Sequence, residues 1–306
     1  MTDGSAPGTA SRSAIAPAGK QSSNPAGENF VTVPLRHPWR WFGAAVMLFV
    51  LLSIADLLVT NPRWQWNKVW EYLFSEPILI GVAYTLILTV LAEVVGISFG
   101  ILLAILRLSD NPLLSWSSAA FTWIFRGIPP LVMILFIYFF SALVPVLSIG
   151  IPFGPSIDIV KTNTVVTQLF AAVVGLGLAQ AAYVSEIVRS GILSVSPGQT
   201  RAGLALGMTP LQAMRHIVFP QAMRVVVPPL GNEVISMVKA TSLVSVIAYM
   251  ELLTTVQVIY ARTFEQIPML MVAVIWYGII TSVLTLAQSQ IESRLNKSAK
   301  NVKGAR

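Results

Sequence analysis

Residues 196–220 read SPGQTRAGLALGMTPLQAMRHIVFP, and this stretch does most to decide the class of fold. It contains the same helix-start signal twice. Each signal is a Ser or Thr capping residue, followed directly by Pro and two residues later by Gln. The positions are Ser196, Pro197 and Gln199 in the first signal and Thr209, Pro210 and Gln212 in the second. Gly207 lies where the first helix needs a left-handed stop, and Pro220 is predicted to end the second helix. The segment therefore predicts two short, stiff helices that meet at a sharp corner, which we call the elbow.

The elbow lies between long apolar runs but is itself too polar to cross a bilayer. A rigid helical corner on the face of a membrane domain is suited to dock another protein. The sequence therefore indicates one subunit of a larger assembly rather than a protein that functions alone.

The composition of the chain is that of an integral membrane protein. Hydrophobic residues make up 55% of its 306 residues and charged residues only 11%, whereas a soluble domain carries about 25% charge. Six apolar runs are long enough to cross about 30 Å of hydrocarbon as helices. They lie near 41–60, 78–106, 119–144, 166–188, 226–250 and 267–288. The predicted fold class is all-α, with about six transmembrane helices.

Composition also excludes several kinds of site. The chain has no cysteine, which excludes disulfides and thiolate metal sites. Its two histidines, His37 and His216, lie far apart in sequence, so no metal site is expected. The net charge of +7 does not indicate nucleic-acid binding, because the basic residues cluster at the ends of the spans and in the tail. Residues 1–40, which begin rich in Ala, Gly, Ser and Pro, are expected to form a disordered tail.

Lysine and arginine residues predict the orientation of the spans. If the N-terminus is cytoplasmic, the cytoplasmic side holds Arg12, Lys20, Arg36, Arg40, Arg107, Arg126, Arg189, Arg201, Arg215, Arg224, Arg294, Lys297, Lys300, Lys303 and Arg306. The outer side then holds Arg63, Lys68, Lys161 and Arg262, and the opposite orientation inverts this bias. The elbow, both termini and the basic tail over 291–306 are therefore predicted to be cytoplasmic. Two segments are predicted on the outer side. The Trp-rich segment 64–72 suits an interfacial helix or a plain loop equally. The segment 145–164 indicates an irregular loop.

Three of the apolar runs carry small and polar residues on one helical face, as close packing of helices in lipid favours. The faces are Thr85, Thr89, Glu93, Gly96 and Gly100; Gln168, Ala172, Gly175, Ala179, Ala182 and Glu186; and Asn232, Ser236, Lys239 and Ser242. We expect all three faces to converge on the interior of the helix bundle.

An ionisable side chain inside a membrane usually faces protein or water, because its exposure to lipid is costly. Glu93 lies nearest the middle of its run and is the main candidate for a residue of a translocation path. The alternative is a structural pair, for example with Lys239. Glu186 and Arg189 lie three residues apart near the cytoplasmic end, and we expect a structural ion pair there.

Motifs for nucleotide hydrolysis and covalent catalysis are absent from the sequence. There is no G-x-x-x-x-G-K-[ST] phosphate loop, no H-E-x-x-H and no G-x-S-x-G. The chain is therefore not expected to be an enzyme.

The elbow resembles the cytoplasmic coupling loop of binding-protein-dependent ABC transporter permeases. The family pattern is E-A-A, then a Gly and, after nine intervening residues, I-x-L-P. Here it reads Arg201-Ala202-Gly203, Gly207 and Ile217-Val218-Phe219-Pro220, with three replacements at Arg201, Gly203 and Phe219. The segments 126–132, 182–192, 228–235 and 239–247 are similar to further motifs of the polar amino acid subfamily, which transports solutes of the His, Gln and Arg type.

This resemblance implies a five-helix importer core over 78–290, with 41–60 as an additional N-terminal helix, in the inner membrane of a prokaryote. It implies a second permease subunit of the same or a similar chain, an ATPase dimer that binds ATP and Mg²⁺, and an external solute-binding protein that delivers a small polar solute. The residues expected to couple to the ATPase are Ser196, Pro197, Gln199, Arg201, Ala202, Gly207, Thr209, Pro210, Ile217 and Pro220. Those expected along the substrate path are Glu93, Thr89, Glu186, Asn232, Lys239, Thr241 and Ser242. A secondary active transporter, or half of one, is the alternative, since six spans in about 300 residues suit it too.

Overall fold

The computed structural model describes residues 38–151 and 154–304, with side chains from Trp39 to Leu295. It contains two compact units, one that ends at Asn61 and one that begins at Pro62. The predicted tail over 1–40 lies almost wholly outside the described residues. The first unit contributes the helix α1 (Pro38–Thr60), which covers the expected additional N-terminal span.

Helices dominate the second unit. They are α2 (Trp66–Leu73), α3 (Glu76–Arg107), α4 (Pro112–Gly127), α5 (Pro130–Tyr138), α6 (Phe140–Leu143), α7 (Thr162–Val165), α8 (Gln168–Leu193), α9 (Pro197–Ala205), α10 (Pro210–Ala213), α11 (Phe219–Ala240), α12 (Leu252–Thr263) and α13 (Gln266–Gly304). A 3₁₀ turn (Pro62–Trp64) precedes α2, a π-helical turn (Met214–Val218) joins α10 to α11, and a 3₁₀ segment (Thr241–Ile247) follows α11. Two strands, β1 (Val146–Gly150) and β2 (Ser156–Lys161), pair antiparallel.

The prediction of about six transmembrane helices is confirmed. In the described part of the chain, five continuous helical segments are long and apolar enough to cross a membrane, and α4 with α5 makes a sixth if that pair is one span. This pair is bent by 101° rather than straight. The bend follows from the sequence, because Gly127 ends α4 and the residue before each of Pro129 and Pro130 is biased away from helical geometry.

The prediction that Pro220 ends the second helix of the elbow is wrong. The helix runs from α10 through the π-helical turn into α11, and Pro220 lies in the first turn of α11. A proline ring clashes with the carbonyl four residues before it, here that of His216. His216 lies within the wider π-helical turn, which relieves this clash. One arm of the elbow is therefore continuous with a transmembrane helix.

Helices α3 and α8 form the central pair of the second unit. A Cβ atom added at Gly96 would lie 2.5 Å from Cγ of Gln180, and one added at Gly100 would lie 2.6 Å from Cβ of Val184. The two backbones approach this closely because neither glycine has a side chain. The α3 face predicted to carry small residues therefore packs on α8. The α8 residues that it meets (Gly177, Gln180, Ala181 and Val184) are not those of the predicted α8 face, whose Gly175 packs on Ile134 of α5.

Both segments that the sequence predicts on the outer side contain regular secondary structure. The Trp-rich segment forms α2, whose Val69 and Leu73 are buried. Lys68 bridges Glu71 (3.1 Å) and Glu265 (3.8 Å), and its hydrogen bond to Glu71 raises the pKa of Lys68. The expected irregular loop over 145–164 is instead the β1–β2 hairpin, whose second strand is rich in β-branched residues.

Candidate functional site

A buried carboxylate lies between the two central helices. Glu93 of α3 is 6% exposed and accepts a hydrogen bond from Nε2 of Gln180 on α8, at 3.0 Å. Its second oxygen, Oε2, is buried and has no hydrogen-bond partner among the described residues. Glu233 of α11 lies close enough to interact with Gln180 as well. Three helices thus bring two carboxylates and one amide together in the membrane.

Glu93 opens onto a cavity of about 300 Å³ on the side of the bundle where α3 and α11 meet. Thr89, Glu93, Ser98 and Val234 line it, together with aliphatic residues of α3. Glu93 is the one charged residue among its described lining residues. A largely apolar cavity with a few convergent polar groups suits a small polar ligand.

The alternative pairing of Glu93 with Lys239 is not formed. Glu93 accepts its hydrogen bond from Gln180, and Lys239 is exposed on α11. Ser236 lies on the same exposed face, so the prediction that all three polar faces converge inside this bundle is wrong for α11. Helical periodicity places these residues on one face but cannot tell which neighbour the face meets.

The remaining residues expected along the path are not gathered at Glu93. Glu186 pairs with Arg189 through two hydrogen bonds, as predicted, about 9 Å along α8 from Gln180. The side-chain oxygen of Asn232 accepts a hydrogen bond from Gln288 of α13 (3.1 Å).

Two hydroxyl residues at the end of α11 also lie elsewhere. Thr241 is fully buried and donates to the carbonyl of Val238 (2.7 Å), whereas the half-buried Ser242 donates to the carbonyl of Lys239 (2.7 Å). Of the predicted path residues, Thr89 and Glu93 alone share one described cavity.

A second buried carboxylate was not anticipated from the sequence. Glu251 is 0% exposed and caps α12, with Oε1 accepting from the Thr254 N–H at 2.8 Å. Its Oε2 accepts from the Tyr277 hydroxyl of α13 at 2.7 Å and from Thr85 of α3 at 3.4 Å. The carboxylate therefore ties three helices together. An acid at the start of a helix is the sequence signal that could have indicated its capping role.

The corner of the elbow is closed by the backbone bonds of a Schellman motif. The Gly207 N–H bonds the carbonyl of Leu204 (3.0 Å) and the Met208 N–H bonds that of Gly203 (3.1 Å). Gly207 has φ of +84°, as the predicted left-handed stop requires. Gly203 is buried, and a Cβ there would lie 2.6 Å from Cδ1 of Ile217, so the two arms pack directly on each other.

The two predicted capping boxes differ in the structure. The second is complete, since Gln212 N–H bonds Thr209 Oγ1 (3.3 Å) and Thr209 N–H bonds Gln212 Oε1 (2.8 Å). In the first, Ser196 Oγ accepts from the N–H of Gly198 (3.4 Å) rather than from that of Gln199. Both arms are nevertheless capped at their first residue.

The elbow presents both apolar and basic side chains at its surface. Leu206 is 83% exposed and Leu211 76% exposed, although both lie in a polar segment. Arg201 and Ala202 are exposed beside them on α9. Exposed apolar residues rimmed by polar ones are typical of a protein interaction site. The predicted coupling residues occupy α9 and its cap (Ser196, Pro197, Gln199, Arg201, Ala202), the corner (Gly207), the start of α10 (Thr209, Pro210), the π-helical turn (Ile217) and the start of α11 (Pro220).

Residues 96–297 match the model of a protein family described as the binding-protein-dependent transport system inner membrane component. The matched range begins within the C-terminal half of α3, includes the elbow and ends within α13. The chain belongs to this family. It is a multi-pass permease subunit of an ABC importer.

Known permeases resemble the chain over most of its length. The arginine transport system permease protein ArgU of Corynebacterium glutamicum is 39% identical over 275 residues, which are 89% of this chain and 85% of ArgU. The glutamate/aspartate import permease protein GltK of Escherichia coli is 37% identical over 236 residues, or 77% of this chain and 98% of GltK. A crystal structure of an amino acid ABC transporter with histidines superposes with a TM-score of 0.60 at 32% identity, covering 71% of this chain and 94% of that chain.

Membership of the family decides between the two transport mechanisms that the sequence left open. An ABC importer hydrolyses ATP in separate subunits and receives its solute from a binding protein. The permease is therefore not an enzyme and not a secondary transporter, and the missing phosphate loop is consistent with its role. Sequence reasoning missed Gln180, which bonds Glu93, and Glu233 beside it. It also missed Ser98 and Val234 in the cavity lining. A glutamine in the middle of an apolar run was the available signal for Gln180.

Proposed function

We propose that this permease carries a positively charged polar amino acid, or a related small solute, into a prokaryotic cell through a site at Glu93. Amino acid transport is supported by the names of its relatives, one an arginine permease and another a glutamate/aspartate permease. These names disagree about the charge of the solute. The observation that supports a positive charge is the buried Oε2 of Glu93, which lacks a hydrogen-bond partner among the described residues and belongs to a residue that lines a cavity.

A buried carboxylate is costly unless a hydrogen bond or an opposite charge satisfies it. A bound ammonium or guanidinium group supplies both to the free oxygen of Glu93. Glu233 adds a second carboxylate near Gln180, and no lysine or arginine is among the described residues that line the cavity. A basic amino acid has two positive groups to offer, its α-ammonium group and its side chain, whereas an acidic one would add negative charge.

A second permease subunit, of the same or a similar chain, completes the path in this proposal. Ser236 and Lys239 are exposed, and Ser242 is half-buried, on one polar face of a helical segment long and apolar enough to span the membrane. A lysine facing lipid near the bilayer centre costs about 2.5–3.5 kcal/mol on insertion scales. A partner permease or a water-filled path between the two permeases removes this cost. The two halves then expose the Glu93 cavity to one side of the membrane at a time.

The elbow is where the ATPase subunits drive the conformational change of the permease. An ATPase dimer that binds ATP and Mg²⁺ docks on it in the cytoplasm, and an external solute-binding protein delivers the solute. The continuous helix from α10 into α11 carries motion of the elbow to the α11 side of the Glu93 cavity. In this assignment both termini are cytoplasmic, 1–40 and 291–306 are tails, 41–60 is an additional span and 78–290 is the transporting core. The permease itself holds no cofactor.

The experiment is uptake by the purified complex in proteoliposomes with the variant Glu93→Gln. A hydrogen bond to a charged group contributes about 1.5–3 kcal/mol, so arginine and lysine uptake should show a KM raised roughly 10- to 150-fold. Glutamine uptake, where present, should change less, because the cationic side chain is missing.

The matched control is Glu71→Gln, which removes a carboxylate from an exposed ion pair on α2. It should leave KM unchanged, and Glu93→Asp should restore part of the affinity. An unchanged KM for arginine and lysine in Glu93→Gln would assign Glu93 to a structural role and remove the basis for a cationic solute.

A further inference from the structure

A second cavity, separate from that of Glu93, lies where α3, α4 and α8 meet. Its volume is about 460 Å³, and its lining includes Arg107, Thr122, Trp123, Arg126, Tyr183 and Glu186. The transport mechanism proposed above uses none of these side chains.

Positive charge in this cavity exceeds negative charge. The guanidinium of Arg107 donates to the carbonyl of Ser115 (3.1 Å), and that of Arg126 lies 5.3 Å from the centre of the Tyr183 ring. Glu186 also lines the cavity and lies close enough to interact electrostatically with both arginines, but its hydrogen bonds go to Arg189. Among the described residues, no carboxylate forms a direct ion pair with either Arg107 or Arg126. The two arginines therefore share a single carboxylate that is already paired with a third arginine.

We infer the depth of the cavity in the membrane from the length of α3. α3 runs from Glu76 to Arg107. Half of the ~30 Å hydrocarbon thickness is covered by about ten residues of an α-helix, counted from the middle of α3. If α3 is centred in the membrane, this puts the inner boundary near Gly100, which packs on Val184 beside Tyr183. Trp123 is 80% exposed at the cavity, and tryptophan is enriched at this level of a membrane.

We propose that this cavity binds the headgroup of an anionic phospholipid of the cytoplasmic leaflet, with its phosphate between Arg107 and Arg126. Guanidinium groups match phosphate oxygens in geometry and charge. The acyl chains would run beside Trp123 into the hydrocarbon. An acidic segment of a partner protein is the less favoured occupant, because the cavity is at the hydrocarbon boundary. The orientation is the one proposed above, but the site does not depend on which solute is carried.

The test uses the complete transporter in nanodiscs that contain phosphatidylcholine and spin-labelled phosphatidylglycerol, with spin-labelled phosphatidylcholine as reference. A basic residue near the surface contributes about a fivefold preference for anionic lipid, so two predict roughly a thirtyfold preference. Arg107→Gln or Arg126→Gln should each reduce it to about fivefold, and the double variant should abolish it. Arg107→Lys should retain much of the preference. The control Arg262→Gln removes an exposed arginine elsewhere and should have no effect.

A second measurement locates the lipid, since the chain has no cysteine of its own. A fluorophore on Ala119→Cys, in the cavity lining, should be quenched by brominated phosphatidylglycerol more strongly than by brominated phosphatidylcholine. The proposal is overturned if the wild-type complex shows no preference, or if the double variant keeps it. It is equally overturned if Arg262→Gln abolishes the preference, if soluble glycerol phosphate displaces the label at millimolar concentration, or if the ATPase partner excludes lipid from the cavity.

Discussion

Replacement of Gly207 isolates the contribution of the elbow's corner to coupling, because the glycine is needed only for its backbone. Its φ is +84°, and a Cβ atom added there would have nothing within 4 Å. A side chain therefore causes no clash, and its whole cost comes from the left-handed conformation. That cost is about 1–2 kcal/mol for most residues, is smaller for Asn and is larger for β-branched residues.

This conformational penalty lowers the fraction of elbows whose corner is closed, and the loss depends on the residue introduced. A penalty of 1–2 kcal/mol lowers the ratio of closed to open elbows roughly 5- to 30-fold. We expect arginine accumulated per ATP hydrolysed to fall in the order wild type, Gly207→Asn, Gly207→Ala and Gly207→Val. The ATPase rate should persist, because the membrane helices and the docking surface remain. Both quantities are measured together in proteoliposomes that contain the purified complex.

The matched control is Gly198→Ala in the same elbow. Gly198 lies inside α9, where alanine favours the helix by about 0.5–1 kcal/mol, and its added Cβ meets no atom closer than 3.5 Å. Coupling should be unchanged or slightly improved in this variant. Wild-type accumulation per ATP in Gly207→Val would refute the view that a stiff corner transmits force. Equal losses in Gly207→Ala and Gly198→Ala would refute the backbone argument.

Three further predictions concern the packing and capping of the permease. Gly100→Ala places a Cβ 2.6 Å from a side-chain carbon of α8 and should lower stability by about 1–3 kcal/mol in thermal unfolding, whereas Gly278→Ala, with open space around it, should not. Thr209→Ala removes the second capping box and should weaken the second arm by about 1 kcal/mol, seen as faster amide hydrogen exchange in α10, while unchanged exchange would argue against the cap. Tyr277→Phe removes the 2.7 Å hydrogen bond to the buried Glu251 and should cost about 1.5–3 kcal/mol of stability. Combined with Glu251→Gln, its effect should be less than additive, and strict additivity would show that the two groups do not interact.

Structural features that depend on residues close together in the sequence could be predicted from it. The membrane class and the approximate number of spans follow from runs of apolar residues, because the bilayer demands a minimum length of each. The corner at Gly207 and the cap at Thr209 were also predictable, since each depends on residues a few positions away. The same local rules failed at Pro220, because a π-helical turn lets the helix continue through the proline.

The sequence by itself determined that this chain spans a membrane and presents a capped, bent segment between two spans. Only the tertiary structure decided which polar residues meet. Glu93 and Gln180 lie 87 positions apart, and Thr85 and Glu251 lie 166 apart. Helical periodicity fixes which residues share a face, but the rotation of each helix against its neighbours is set by packing, here by Gly96 and Gly100 against α8. That rotation buries Glu93 and leaves the polar face of α11 exposed.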